Sequence, residues 1–212
     1  MKNEFFKRLL SSIILIPVAL FFIVNGSIIF IFFISLCFLI TCYEWYMMSK
    51  KKSYSFFGFV FLFFSFYSIY KLRINPDNDY LFLLLITIIC VSTDIGGYIF
   101  GKIFKGPKLT KFSPNKTYAG MIGGYLLSII SIAIFANNIL EKVQFPINWF
   151  FFVILISSIS QLGDIIISYF KRSSKIKDTG KIIPGHGGLL DRVDGMIFAF
   201  PFSYIILLIY FL

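Results

Sequence analysis

Long apolar runs dominate this chain of 212 residues and limit what it can fold into. Apolar runs of about 17–25 residues are long enough to cross a bilayer as helices. We place seven candidate spans at 9–24, 27–48, 55–70, 80–101, 118–140, 147–170 and 193–212. Hydrophobic residues make up 58% of the chain, which leaves too few polar side chains to cover a soluble surface. The sequence therefore predicts an all-α, polytopic integral membrane protein with about seven transmembrane helices.

Basic residues collect in alternate loops between these spans. All but three of the 20 Lys and Arg residues lie in the N-terminal segment or in the loops at 50–52, 102–117 and 171–192. The exceptions are Lys71, Arg73 and Lys142. Because positively charged loops stay in the cytoplasm, we expect a cytoplasmic N-terminus. We also expect two polar cytosolic loops, 102–117 and 171–192, on the same side of the membrane.

Charge and cysteine content exclude some other classes of protein. The formal net charge of +10 would suggest nucleic acid in a soluble domain, but here the basic residues lie between spans. The membrane surface and anionic small molecules are better partners, and we expect no nucleic acid. Cys37, Cys42 and Cys90 lie in apolar runs without a CxxC pattern, so neither a disulfide framework nor a zinc site is predicted.

Five of the ten acidic residues lie toward the predicted cytoplasmic side. Asp94 and Asp164 are about 11 Å and 9 Å inside their spans at the helical rise of 1.5 Å per residue. Asp191 and Asp194 open the last span on one helix face, and Glu44 lies near the end of the second. An isolated carboxylate in hydrocarbon costs several kcal/mol, so each is expected to face a cavity, a cation or a basic partner. The grouping favours Mg²⁺ for Asp164, Asp191 and Asp194 and leaves the role of Glu44 open.

Glycine-rich segments accompany these acids. Pro184-Gly185-His186-Gly187-Gly188 is a flexible turn whose backbone N–H groups can approach phosphate oxygens, although it is not a Walker A loop. A lone histidine such as His186 is more often structural than catalytic. Gly97-x-x-x-Gly101 and Gly120-x-x-Gly123-Gly124 favour close helix packing, and Asn25-Gly26 predicts a tight turn between the first two spans.

The run from Ser168 to Asp194 resembles the signature of the phosphatidate cytidylyltransferase (CDP-diacylglycerol synthase) family. The matching positions are Ser168-x-x-Lys171-Arg172, Lys177-Asp178, Pro184-Gly185-His186-Gly187-Gly188 and Asp191-Arg192-x-Asp194. Upstream, Asp94-x-x-Gly97-Tyr98-x-x-Gly101-Lys102, Lys108-Leu109, Ser113-Pro114-Asn115-Lys116-Thr117 and Gly163-Asp164 resemble further polar elements of that family. The resemblance covers about 92–212, so we expect N-terminal transmembrane helices over 1–90 and a catalytic region over 91–212 within one membrane domain. The chain departs from the family at Tyr118-Ala119, where Trp-Glu is usual.

This resemblance implies a Mg²⁺-dependent transfer from CTP to phosphatidate in a bilayer, giving CDP-diacylglycerol and pyrophosphate. It implies catalytic roles for Asp164, Asp191, Asp194, Lys171, Arg172 and His186. It implies substrate contacts from Lys116, Ser168, Lys177, Asp178, Gly187, Gly188, Arg192 and Asp94. The implied metal ligands are Asp164 and Asp191. A second, monovalent cation such as K⁺ and a homodimer are left open, and the expected location is a bacterial-type inner membrane with the site on the cytoplasmic side.

Two other functions compete with this interpretation. A related membrane nucleotidyl- or phosphotransferase acting on another lipid phosphate or a polyprenol would carry similar polar elements, since substrate choice lies in featureless apolar spans. A transporter or scaffold predicts inverted repeats and acids spread through the bilayer depth, whereas these acids favour one side. The CDP-alcohol phosphotransferase class is disfavoured, because Asp191-Arg192-Val193-Asp194-Gly195 lacks the Ala-Arg that should follow.

Overall fold

A computed structural model gives the architecture of the chain. It describes residues 17–50, 52–74, 79–110, 113, 116–139, 145, 147–180, 182 and 187–211. Eight helical segments make up most of these residues, and no strand occurs among them beyond an isolated bridge between Lys108 and Thr117. The helices are α1 (17–25), α2 (Ser27–Ser49), α3 (Ser55–Arg73), α4 (Asp79–Phe104), α5 (Tyr118–Ile139), α6 (Trp149–Ser173), α7 (Leu190–Val193) and α8 (Met196–Phe211).

Five of the predicted spans are confirmed, because α2 to α6 are each long and apolar enough to cross a membrane. The last predicted span corresponds to the shorter apolar helix α8, and the first lies mainly outside the described residues. The count of seven therefore stays a prediction. Many large apolar side chains face outward, such as Phe32, Phe57 and Ile134, which are 70%, 73% and 70% exposed. This surface suits lipid, and the protein is an integral membrane protein.

The predicted turn between the first two spans is confirmed. Gly26 has a left-handed φ of 61° and separates α1 from α2, a conformation that glycine adopts at little cost. Phe22 stacks on Phe33 across the turn with ring centroids 4.4 Å apart. The Arg73 side chain donates a hydrogen bond of 2.7 Å to the Ile23 carbonyl oxygen, which ties the end of α3 to the same turn.

Helices α4 and α5 approach each other closely through glycines, as the small-residue patterns predicted. A Cβ atom added at Gly96 would lie 2.3 Å from the Gly123 carbonyl oxygen, and one at Gly120 would lie 2.7 Å from the Gly97 carbonyl oxygen. Side chains longer than glycine would therefore separate the two backbones. This crossing sets the distance between α4 and α5 at the level of the polar residues described below.

Hydrogen bonds between helices hold the polar end of the bundle together. Thr93 on α4 donates to Ser157 on α6 at 2.8 Å, and Ser65 on α3 donates to the Ile197 carbonyl oxygen on α8 at 2.6 Å. A small apolar cluster packs next to these polar residues; its buried members are Trp45, Met48, Leu62, Ile167, Leu190 and Ile197. These contacts fix α2, α3, α6 and α8 around one site.

Candidate active site

A polar cavity of about 390 Å³ lies at one end of the bundle, where both predicted polar loops contribute side chains. Among the described residues its lining consists of Thr93, Asp94, Gly97, Tyr98, Leu109, Ser113, Lys116, Thr117, Gly120, Met121, Gln161, Asp164, Ile165, Lys171, Asp178, Asp191, Arg192 and Asp194. Eight residues predicted for the site are on this lining: Asp94, Lys116, Asp164, Lys171, Asp178, Asp191, Arg192 and Asp194. The fold thus brings together residues that are up to 100 positions apart in the chain.

Lys116 reaches the cavity from the loop between α4 and α5. Backbone hydrogen bonds shape this loop: the Leu109 N–H donates to the Lys116 carbonyl oxygen at 2.8 Å, and the Lys116 N–H donates to the Ser113 carbonyl oxygen at 3.1 Å. The Lys116 ammonium forms an ion pair with Asp164 on α6. Both side chains are 26% exposed, so both remain accessible to a ligand in the cavity.

Ser168 lies one turn beyond Asp164 on α6, and its hydroxyl donates to Asp164 Oδ1 at 3.3 Å. Ser168 is buried and is not part of the cavity lining that the structure describes. Its contact with the cavity therefore runs through the carboxylate of Asp164. A direct contact between Ser168 and substrate stays a prediction.

Lys171 forms the most buried charged cluster of the site. Its Nζ atom is 2.9 Å from Asp191 Oδ1 and 3.8 Å from Asp194 Oδ2. The side chains of Lys171, Asp191 and Asp194 are 11%, 5% and 11% exposed. One ammonium between two carboxylates leaves an excess of negative charge, and removing the cation would leave both acids uncompensated.

The end of α6 turns the chain back over this cluster. Lys175 adopts a left-handed φ of 57°, and the Ile176 N–H donates to the Lys171 carbonyl oxygen at 3.0 Å. A left-handed residue followed by such a bond is a common way to end a helix. Arg172 donates to the Ile176 carbonyl oxygen at 3.1 Å, and Lys177 is exposed. Neither side chain is on the described lining, and their predicted roles stay predictions.

Gly187 and Gly188, the described end of the glycine-rich turn, lie against Asp191. Asp191 Oδ2 accepts hydrogen bonds from the Thr179 N–H at 2.7 Å and the Gly188 N–H at 3.0 Å, and it lies 3.1 Å from the Thr179 hydroxyl oxygen. Gly187 has a left-handed φ of 88°, and a Cβ atom there would lie 2.8 Å from the same oxygen. The Gly188 N–H therefore binds a carboxylate of the protein itself, and phosphate contacts from Gly187 and Gly188 stay a prediction. His186 lies outside the described residues.

Glu44 on α2 binds Thr179, Leu189 and Leu190, and the sequence left its role open. It is 1% exposed and accepts hydrogen bonds from the Leu189 N–H at 2.9 Å, the Leu190 N–H at 2.7 Å and the Thr179 hydroxyl at 3.0 Å. Thr179 was not among the residues predicted for the site. The only signal available for it was its position beside Asp178 in the polar loop.

Asp94 faces the other side of the cavity from α4. It is within electrostatic range of Asp164, Lys116 and Arg192, and Asp194 is within range of Asp94 and Asp164. The sequence also missed Thr93 and Gln161, which add polar groups at the inner end of the cavity. Both are uncharged residues within long apolar runs, and nothing in the run itself marks their orientation.

The donor atoms in the cavity have the chemistry that Mg²⁺ requires. Carboxylate oxygens are hard ligands that suit this ion, and Asp94, Asp164, Asp191 and Asp194 all face the same space. Within the described ranges, no group of three His, Cys, Asp or Glu residues is arranged to hold a metal ion, and Asp164 and Asp191 each contact a lysine instead. The residue types fit the predicted ion, while the ligand set stays a prediction.

The fold and this cavity define a polytopic helical membrane protein with an acid- and lysine-lined site at one end of its bundle. A model of the cytidylyltransferase family matches residues 53–210, and the chain belongs to that family. Two proteins named phosphatidate cytidylyltransferase, from Rickettsia bellii and Rickettsia felis, are each 35% identical to this chain in alignments that cover 97% of it. The alignments cover 91% and 93% of those two proteins. A protein of the same name from Brucella suis biovar 1 is 37% identical over 70% of this chain and 54% of that protein.

Proposed function

We propose that this protein is a phosphatidate cytidylyltransferase, which converts CTP and phosphatidate into CDP-diacylglycerol and pyrophosphate. The observation that carries this function is the cavity in which Lys116, Lys171 and Arg192 face a set of carboxylates at the end of an apolar bundle. Relatives that bear this name match nearly the whole chain. A site for one lipid substrate and one nucleotide has to place charged groups beside apolar helices, and this cavity does so.

The reaction requires alignment and charge neutralisation more than proton transfer. A phosphate oxygen of phosphatidate attacks the α-phosphorus of CTP, and the bond from that phosphorus to the bridging oxygen of the β-phosphate breaks, which releases pyrophosphate. A phosphate monoester has a second pKa of about 6, so the nucleophile is already largely ionised at neutral pH. The protein must hold two polyanions in line and stabilise the charge that grows on the leaving group.

Lys116 and Lys171 are the cations best placed for this task. Carboxylates hold both ammonium groups at the cavity, so they are already positioned when substrate arrives. Lys116, whose pair is the more exposed, would contact the phosphates first. Arg192 also lines the cavity, and its guanidinium can bind a phosphate through two parallel hydrogen bonds.

The charge of the cavity supports the participation of a divalent cation. Five of the described lining residues carry carboxylates and three carry basic side chains, so the formal charge of the cavity is negative and would repel two polyanionic substrates. We infer that Asp164 and Asp191 hold Mg²⁺, with Asp194 beside them. When bound, the ion would neutralise phosphate charge and orient the reacting groups.

We also propose that the cavity faces the cytoplasm, where CTP is found. The basic loops at 50–52, 102–117 and 171–192 adjoin the ends of α2, α4 and α6, and Lys116 and Lys171 from two of them line the cavity. Positive loops are retained on the cytoplasmic side. The N-terminus is then cytoplasmic if seven spans are present, and a bacterial-type inner membrane is the expected location.

The test is a transfer assay in reconstituted vesicles with labelled CTP, phosphatidate and Mg²⁺. Wild-type protein should form CDP-diacylglycerol. Asp164→Asn should lower turnover by at least about 100-fold, since removing several kcal/mol of charge stabilisation has that effect. We choose Asp164 because its side-chain hydrogen bonds and ion pairs within the described residues are with Lys116 and Ser168, whereas Asp191 also binds the backbone of Thr179 and Gly188.

Two lysine variants provide the matched comparison. Lys116→Met removes a charge from the cavity lining and should raise the KM for CTP or phosphatidate. Lys50→Met removes a charge that lies near the Tyr46 ring, outside the cavity lining, and should leave turnover unchanged. Folded wild-type protein that forms no CDP-lipid would refute the proposed function, and faster transfer to a polyprenyl phosphate or another lipid phosphate would favour the related transferase instead.

A further inference from the structure

The Glu44 carboxylate on α2 binds a segment of chain that is more than 130 residues away in sequence. Its Oε1 atom accepts the Leu189 N–H at 2.9 Å, and its Oε2 atom accepts the Leu190 N–H at 2.7 Å. The residue is 1% exposed, and it is not part of the described cavity lining. A carboxylate this deeply buried is stable only when hydrogen bonds replace its water, and the loop before α7 supplies them.

Thr179 connects this carboxylate to the acid of the cavity. Its hydroxyl is 3.0 Å from Glu44 Oε2 and 3.1 Å from Asp191 Oδ2, while its backbone N–H donates to Asp191 at 2.7 Å. A hydroxyl has one proton to donate, so it bonds to one carboxylate at a time. Backbone N–H groups hold both carboxylates beside the Thr179 hydroxyl, including the carboxylate that does not receive its proton.

The glycines of this region provide space for the Glu44 carboxylate. A Cβ atom at Gly188 would lie 2.3 Å from the Thr179 hydroxyl oxygen and 2.5 Å from Glu44 Oε2. One at Gly180 would lie 2.8 Å from Glu44 Oε1. Any side chain at Gly188 would therefore displace the carboxylate or the threonine, so the glycine-rich turn has a local purpose that is separate from phosphate binding.

We propose that Glu44 and Thr179 are positioning residues that hold residues 187–190 in place and thereby fix the orientation of Asp191 in the cavity. This inference rests on the proposed function, since it assigns a role within the transfer reaction. Glu44 lies before the residues that match the family model, 53–210. Its role is therefore inferred from its own contacts in this structure. Neither residue is on the described cavity lining, and Thr179 contacts Asp191 directly.

The first measurement is hydrogen exchange, which needs no substrate. Glu44→Gln replaces one acceptor oxygen with an NH₂ group that cannot accept, so an N–H donor at the start of α7 loses its partner. Hydrogen exchange of wild-type and variant protein in nanodiscs should show faster exchange, by at least about tenfold, in a peptide that covers 187–191. Unchanged exchange in that peptide would overturn the proposal, whatever the activity of the protein.

The second measurement separates positioning from general packing. Thr179→Val removes the hydroxyl with little change of shape, and we expect kcat to fall about tenfold or more, since a hydrogen bond to a charged group is strong enough for that effect. Thr179→Ser restores the hydroxyl and should return kcat to within about twofold of wild type, with KM for CTP little changed in both variants.

Thr41→Val is the matched control for Thr179→Val. Thr41 is also fully buried, lies one turn before Glu44 on α2, and bonds only to carbonyl oxygens of its own helix in the contacts observed. It should leave both kcat and the exchange of 187–191 unchanged. An equal loss in Thr41→Val, or no recovery in Thr179→Ser, would show that α2 acts only through packing and would refute the positioning role. If wild-type protein lacked transferase activity, the exchange experiment would still test the contacts by itself.

Discussion

Lys171 offers the sharpest test of how charge is arranged in this site. Its ammonium lies 2.9 Å from Asp191 and 3.8 Å from Asp194, and all three side chains are at most 11% exposed. Removing one partner of a buried pair costs about 3–5 kcal/mol, because the remaining charge is left uncompensated. Exposed pairs contribute about 1 kcal/mol or less. Lys171→Met should therefore destabilise the protein by about 3 kcal/mol, or roughly 6–12 °C in Tm for a chain of this size.

The comparison variant is Lys116→Met, because the Lys116–Asp164 pair is more open, with both side chains 26% exposed. Lys116→Met should lower the stability of the protein clearly less than Lys171→Met does. Thermal unfolding in nanodiscs can be followed by tryptophan fluorescence, since Trp45 is 4% exposed and its ring lies 5.3 Å from that of Phe170, next to Lys171.

A double variant checks the sign of the coupling. Asp191→Asn removes one of the two carboxylates that Lys171→Met leaves uncompensated, and its amide oxygen can still accept from Thr179 and Gly188. Lys171→Met combined with Asp191→Asn should therefore be more stable than the sum of the two single losses predicts. Equal losses for Lys171→Met and Lys116→Met, or strict additivity in the double variant, would refute this account of the cluster.

Two further predictions concern the helix crossing and the cation. Gly96→Ala should lower Tm, because its Cβ atom would lie 2.3 Å from the Gly123 carbonyl oxygen and such overpacking costs about 1–3 kcal/mol. Gly97→Ala is the control and should be tolerated, because the nearest atom to its Cβ would be 3.7 Å away. Equal Tm values for the two variants in thermal unfolding would contradict this packing. Chelation of divalent ions with EDTA should stop pyrophosphate release in the vesicle assay and excess Mg²⁺ should restore it, because the acid-rich cavity otherwise repels both substrates; full activity in EDTA would remove the divalent ion from the proposal.

The spans could be predicted from the sequence because hydropathy depends on composition alone. The ends of the helices were less accurate. Helices α4 and α6 continue to Phe104 and Ser173, three residues beyond the predicted span ends. Asp94 and Asp164 consequently lie about 15 Å and 14 Å from the ends of their helices at 1.5 Å per residue, farther from those ends than predicted. The polar residues at those ends hydrogen-bond as helix, which a hydropathy pattern does not record.

Which residues belong to the site was easier to predict than which of them contact each other. Carboxylates and lysines stand out in an apolar chain, so Asp164, Lys116 and Lys171 were identified from residue type and spacing. Which lysine pairs with which acid depends on how the loops fold, and the sequence left pairing and metal binding as alternatives for the same acids. The structure shows the lysine pairs. Mg²⁺, K⁺, a homodimer and the absence of nucleic acid stay predictions.

The contacts of α2 bear on how the chain is divided. The predicted boundary near residue 90 separates helices of weak resemblance from the catalytic region, and it stays a prediction. Yet Glu44 bonds to Leu189 and Leu190, and Ser65 bonds to the Ile197 carbonyl oxygen, so polar contacts of the site cross that boundary. A chain that began at residue 91 would leave two N–H groups at the start of α7 without their acceptor, at a cost of about 1–3 kcal/mol each when buried. The orientation of Asp191 therefore depends on a helix that the signature motif does not include.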